Sequence, residues 1–401
     1  MRTQVVIVGA GAAGLAAARA LTDRGLDVLV VEARDRVGGR AYTLPTAGGA
    51  YPVELGAEFI HGPAPQTMAL LREAGESTLH IAETPGDVWE AAERVLQRVD
   101  MRAPDTSVDA FLKSVHDPGV DQARMLIEGF DAAITADASI HAIASEWSGQ
   151  GNDTQFRPAR GYGVLMQFLA TKIGRRVLLD SPVREIAWAT DAVTVRGVRS
   201  GEPFEVHARC AIVTLPIGVL HDGAVRFVPA LPKDTATAID AIGAGPVIKV
   251  MLEFASVFWR DGFLQTQPEC PFPTVWSRMP QPAPVLAAWA GGDAVLRLTE
   301  HSSDPVDEAI RACCRLFPDV DVRGELQAVH WHDWQSDPYA RGAYSYLRVN
   351  GGDARARLGR PVHDVLFFAG EASAAQDSGT VAGAFRTGHT AAAQVAALLG
   401  R

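Results

Sequence analysis

At 401 residues and 47% hydrophobic, the chain is long enough for two packed units, and its apolar content excludes intrinsic disorder. A formal net charge of -10 argues against nucleic acid as a partner and suits cationic small molecules, without locating the acidic groups. Four cysteines, Cys210, Cys270, Cys313 and Cys314, show neither CxxC spacing nor a disulfide framework, which fits a reducing compartment.

In chain order, the first element is a buried strand, Val5 to Val8, followed by a glycine turn at Gly9, Gly11 and Gly14 and a helix from Leu15 to Leu21. That order describes a dinucleotide site. Gly9 permits the tight turn, Gly11 lets backbone approach phosphate, Gly14 lets helix and strand pack closely, and the helix N-terminus faces the pyrophosphate. The next strand, VLVVE, ends in Glu32, whose carboxylate can take both ribose hydroxyls and would repel a 2'-phosphate, which disfavours NADP. A GxGxxG run alone is as often an ordinary turn. Val37-Gly38-Gly39-Arg40 tips the balance, because a second glycine pair and a guanidinium suit a long FAD extended along the sheet edge. The first strand follows Met1 with no room for a signal peptide, and the closing run AAAQVAALLG is too short to cross a bilayer, so the expectation is a cytoplasmic protein without a membrane partner.

Cofactor signals recur in three separated stretches. The expected class is therefore α/β, with a discontinuous Rossmann-type FAD-binding domain over residues 1–62, 160–231 and 340–401 and a mixed α+β substrate-binding domain over 63–159 and 232–339. MALLREAG and MLIEGFDAAI read as helices of the first insertion, and RGYGVLMQFLATKIG as a helix returning to the cofactor domain. RVLLDSPVREIAWATDAVTVRG supplies a strand and a hairpin, and ARCAIVTLPIGVL a further buried strand. In the second insertion VIKVMLEF, VLAAWAG and AVLRLTEH read as strands of an antiparallel sheet, after which Asp304-Pro305 caps the helix VDEAIRACCRLF. The strand VLFFAGE and a helix from about Thr380 close the chain.

EARDRVGGR is followed by ELGAEFIHG (Glu54 to Gly62), VTLPIGVL (Val213 to Leu220), DPYARGAYSY (Asp337 to Tyr346) and LFFAGEASAAQDSGTVAGA ending at Ala384. With these motifs in this order the chain resembles the flavin-dependent amine oxidases, which comprise monoamine oxidases, polyamine oxidases and lysine-specific histone demethylases, over nearly its whole length. The resemblance implies FAD, an amine substrate and oxygen as acceptor: a hydride equivalent leaves the C–H beside nitrogen for flavin N5, the imine hydrolyses to an aldehyde, and oxygen becomes hydrogen peroxide. It places Gly370 and Glu371 against hydroxyls of the FAD ribityl or ribose and the helix N-terminus at Thr380 against the flavin, where Thr380 or Ser378 can equally be a helix cap. It adds Ala13, Ala33, Arg34, Gly39, Arg40, Gly56, Ala57, Glu58, Val183, Thr214, Trp334, Val381 and Ala384 to the cofactor contacts.

Lys249 is flanked by Val247, Ile248, Val250 and Met251, so its ammonium either faces solvent or is held by partners. The resemblance makes it the lysine that holds a water against flavin N5. Ala343 stands where monoamine oxidases carry the cysteine bonded to flavin, which implies noncovalent FAD. Tyr344 matches one wall of the aromatic pair around the substrate nitrogen, whereas Thr380 takes the place of the second. With His61, which matches the histidine of polyamine oxidase WIHG segments, this points to the polyamine oxidase branch. His61 otherwise bonds backbone in a turn, Glu58 draws either a cationic amine or backbone, and Trp334 and Tyr339 pack against flavin or simply in the core. His330, His332 and Asp333 could meet a metal, but none is expected with the redox chemistry assigned to flavin, and no GxSxG, HExxH or P-loop motif is present. Three rivals remain: an L-amino acid oxidase using Arg160 or Arg348 for a carboxylate, an FAD desaturase or dehydrogenase of the phytoene desaturase kind, and a flavin-binding protein without turnover. Oligomeric state is not legible in the residues.

Overall fold

Five short strands lie parallel in the order Leu366–Phe368, Cys210–Val213, Val5–Val8, Val28–Val31 and Val177–Leu178. The structure, a computed structural model, describes residues 1–45, 51–81, 87–148, 154–300 and 304–400. These strands are almost continuously apolar because both faces of the sheet are covered. On one face the helix Ala12–Thr22 packs against the closing helix Val381–Leu398 so closely that a Cβ on Gly388 would stand 2.3 Å from the Ala13 carbonyl. On the other, Val6, Val8 and Val31 meet Ile186, Val195 and Val206 of the antiparallel meander Val183–Ala189, Ala192–Arg199 and Glu202–Ala208. The α/β class expected from the sequence is the class observed.

A second, antiparallel sheet has the order Leu264–Thr266, Thr274–Ser277, Val285–Gly291, Val247–Phe254 and Leu326–Asp333. Ile248, Val250, Leu252 and Phe254 of its central strand pack against the helices Asp293–Glu300 and Pro305–Leu316. Met251 on the opposite face packs with Val53 and Leu55 of the N-terminal segment. Lys249 shares that face by strand alternation, so it points towards the parallel sheet's domain and not to solvent.

Two expectations need correcting. AVLRLTE, the part of AVLRLTEH within the described residues, is not a strand but lies in the helix Asp293–Glu300, because the buried Ala294, Val295 and Leu298 fall on one helical face and Asp293 occupies the first turn, while His301 lies outside the described residues. Beside the helices expected between residues 63 and 159 lies a small sheet that the sequence reading did not mark: Gln155–Pro158 pairs between Ile60–His61 and Thr78–Ile81, strands too short to leave a periodic signal. The Asp304 cap is as expected, its carboxylate accepting from the Val306 N–H at 2.9 Å. Among the described residues no helix is long and apolar enough to cross a membrane.

Candidate active site

The glycine turn has the geometry its sequence demands. Gly9 takes φ +107°, and a Cβ on Gly14 would lie 2.0 Å from the Gly9 carbonyl, whereas a Cβ on Gly11 would meet nothing within 4 Å. Gly11 therefore fronts open space at the start of the helix Ala12–Thr22, which has no side-chain cap, and its first N–H groups are free for an anion. Glu32 ends the neighbouring strand with its carboxylate accepting from Ala10 N–H at 2.7 Å and Arg34 N–H at 2.9 Å. Thr214 donates to the Val8 carbonyl at 2.8 Å and locks the turn to the adjacent strand. This cradle fits the pyrophosphate and ribose of a dinucleotide.

Distant segments are tied together around it by buried ion pairs. Arg34 grips Asp337 with two bonds of 2.7 and 2.9 Å, and His332 adds a third at 2.6 Å. Burial opposes ionisation of Asp337, but His332 and Arg34 outweigh it and hold the carboxyl well below its usual range. Arg40 donates to the Ala343 carbonyl at 2.6 Å and to Glu371 at 2.8 Å, while the other Glu371 oxygen accepts from Ser345 and from the Gly379 N–H. A lone pair on the Arg40-bound oxygen is left for a ligand hydroxyl. Gly56 is held against the Arg40 carbonyl, 1.8 Å from where its Cβ would stand, and Trp334 packs on it while donating to the Leu55 carbonyl at 2.9 Å.

One cavity of about 2810 Å³ runs from this turn to Lys249, and every residue singled out above for cofactor or catalysis lines it except Gly14, which is buried behind the turn. Lys249 is 1% exposed, with Nζ 2.5 Å from Glu58 Oε2 and 3.5 Å from the Gly56 carbonyl. Its solvent-facing alternative is thereby removed. Both Glu58 oxygens are engaged by cations, the second binding Arg157 at 2.9 Å. Burial would push the Glu58 carboxyl up, yet Lys249 and Arg157 prevail and lower it. Glu54, next along, is pushed up to about 7 by burial despite bonds from Thr43 and from the Tyr162 N–H.

The far end is aromatic. Tyr344 donates to the Phe130 carbonyl at 3.0 Å and lies against Gly379. Thr380 caps the closing helix, accepting from the Gly383 N–H at 3.0 Å, while Ser378 donates to Glu146 instead. His61 packs edge-on against Phe130 at 5.6 Å between centroids, makes no ring hydrogen bond among the described residues, and is pushed down to about 4 by burial. Trp89 and Trp147 complete the wall, with centroids 5.4 and 6.1 Å from Phe130. Sequence reading missed this cluster and Arg157, whose residues lie on three separate helices and a short strand without a motif. Arg160 and Arg348 are paired with Glu76 and Asp137 and do not line the cavity. His330 and His332 are paired with different carboxylates, Glu253 and Asp337.

Residues 12–132 and 81–396 match the family model described as flavin containing amine oxidoreductase. Polyamine oxidase 4 of Oryza sativa subsp. japonica is 28% identical over 442 residues, covering 97% of this chain and 87% of that protein. Lysine-specific histone demethylase 1 homolog 3 of Arabidopsis thaliana is 28% identical over 491 residues, but this chain, 99% covered, spans only 30% of its length. Putrescine oxidase bound to putrescine superposes with a TM-score of 0.83 at 22% identity, covering 100% of both chains. Cyclohexylamine oxidase from Brevibacterium oxydans IH-35A does so with 0.81 at 24% identity and the same coverage. At such identities the two structures establish a shared fold.

Proposed function

The chain belongs to the flavin containing amine oxidoreductases, and within that family we propose that it binds FAD noncovalently and oxidises a polyamine or another primary or secondary amine to an imine, with oxygen reduced to hydrogen peroxide. The observation that carries this reading is the single cavity joining the glycine turn and Glu32 to the buried Lys249 and the aromatic wall of Tyr344 and Phe130. When bound, FAD supplies the redox chemistry, accepting a hydride equivalent from the carbon beside nitrogen and passing the electrons to oxygen.

The chain's residues supply binding, orientation and a dry site. The Ala12–Thr22 helix N-terminus and Gly11 hold the pyrophosphate, Glu32 the adenosine ribose, and Glu371 a hydroxyl of the chain that leads to the flavin. Ala343 leaves no thiol to bond the ring, and none of the four cysteines lines the cavity, so acid denaturation should release intact FAD into the supernatant. Tyr344, Phe130, Trp89 and Trp147 exclude water and favour a neutral amine. His61, uncharged above a pH of about 4, can accept an amine N–H without adding positive charge. No general base is required beyond the amine's own deprotonation. The four unpaired cysteines suit the reducing conditions of a cytoplasm.

The occupied state of Arg160 and Arg348 disfavours the amino acid reading. The test is aerobic turnover with spermine, spermidine, putrescine, benzylamine and L-amino acids, scoring peroxide and aldehyde together. Peroxide and aldehyde from an amine lacking a carboxylate are expected, and product from amino acids alone would overturn the proposal.

A further inference from the structure

Three charged side chains form a buried chain, of which Lys249 and Glu58 line the cavity. Lys249 meets Glu58 at 2.5 Å and Glu58 meets Arg157 at 2.9 Å, with side-chain exposures of 1%, 6% and 3%. The Arg157 guanidinium lies over the Phe59 ring, 5.0 Å from its centroid, and its Nε and Nη2 find no other partner, so its one strong interaction is spent on Glu58. Composition adds an independent observation. Of the chain's 37 basic residues only Lys113, Lys172, Lys233 and Lys249 are lysines, and the other three are exposed. A chain that otherwise chooses arginine, even for the opposite side of the same carboxylate, places its one buried lysine here. Arginine would give the better buried ion pair, whereas lysine offers a compact charge with a transferable proton.

We propose that Glu58 is the positioning residue for Lys249: it fixes the ammonium at the cavity wall beside the flavin, while Arg157 holds the carboxylate from its other side. This rests on the reading that FAD fills the cavity. A buried lysine deprived of its counter-charge gives up its proton, and one deprived of its acceptor can swing among rotamers. Glu58 prevents both. The other charged groups facing the pair are Glu54 from the strand Pro52–Glu54, Arg278 beyond Thr274–Ser277, and His332, which lies across from Lys249 on the neighbouring strand and is engaged by Asp337. None of them comes within hydrogen-bond distance of the ammonium among the described residues, so Glu58 is its sole carboxylate partner there.

The test uses FAD-loaded protein labelled with carbon-13 at lysine Cε. The four lysine signals are followed with pH, and Lys249→Met identifies the one that belongs to Lys249. In Glu58→Gln, Lys249 is expected to be the first of the four to lose its proton as pH rises. In parallel the flavin is reduced photochemically with oxalate as the electron donor, without any amine, and its reoxidation by oxygen is timed. Glu58→Gln is expected to slow this by on the order of 10²-fold, the low end of what a positioned proton donor contributes, with the deficit growing over the pH range in which the lysine signal moves. Glu58→Asp, which keeps the charge on a shorter arm, should recover part of the rate, and it carries the test if the glutamine variant does not take up FAD. Either an unmoved Lys249 signal or an unchanged reoxidation rate overturns the proposal. Because oxalate, oxidised to carbon dioxide under light, supplies the electrons, the result stands whether or not any amine proves to be a substrate.

Discussion

Lys249 is the residue on which the proposed chemistry turns. Lys249→Met should slow flavin reoxidation by oxygen by about 10²-fold or more while FAD stays bound, because the variant removes a positioned ammonium and leaves Glu58 with Arg157. Wild-type rates of both reduction and reoxidation in rapid mixing would mean that another residue does this work. Glu54 gives a stability prediction. Its folded pKa of about 7 lies above the ordinary 4.5, so the native state holds the extra proton: its contribution is fully present below 4.5 and is lost as pH rises through 7. Glu54→Gln should therefore gain stability relative to the parent across that window, by up to about 3 kcal/mol, read as a melting-temperature gap that widens towards alkaline pH. His61 acts in the other direction. Its folded pKa of about 4 lies below the ordinary 6.5, so stability falls on acidification from 6.5 towards 4. At this scale the sequence identified Lys249, Tyr344 and His61 through motifs, but Lys249's orientation was open because its flanking residues are apolar on both sides. What decides it is the helices covering one face of the strand, which no local pattern records.

At the scale of elements, the glycine turn separates folding from binding. A methyl at Gly14 would collide with the Gly9 carbonyl, so Gly14→Ala should destabilise even the flavin-free protein, by about 1–3 kcal/mol. A methyl at Gly11 meets no protein atom, so Gly11→Ala should leave the melting temperature of flavin-free protein unchanged yet weaken FAD binding at least about tenfold. Thermal melts with and without FAD check both. Equal losses of stability in the two variants would contradict the assignment of Gly11 to phosphate approach. The parallel strands and their helices were legible because each is a short apolar run with a glycine or a cap at its edge. AVLRLTEH was misread because four apolar positions in eight residues satisfy either period, and burial of Ala294, Val295 and Leu298 against the sheet selects the helix. The short strands around Gln155–Pro158 carry too few residues to declare a period at all.

Across the whole molecule, the site is assembled from residues hundreds of positions apart. Arg34 with Asp337, Arg40 with Glu371 and Glu58 with Lys249 each join the N-terminal segment to a later one, and five of these six residues, all but Asp337, line the same cavity. Motif order in the sequence implied that these segments converge, but not that carboxylates and cations would do the joining. Turnover should rise with pH through an apparent amine pKa, since His61 is already neutral and the aromatic wall admits an uncharged amine. A profile flat from neutral to alkaline pH would count against a neutral substrate. The most direct measurement is anaerobic mixing of the FAD-loaded protein with polyamines, simple amines and L-amino acids while the flavin absorbance is followed. Rapid bleaching by an amine that carries no carboxylate is the predicted result, and a flavin that every amine leaves oxidised would contradict the account.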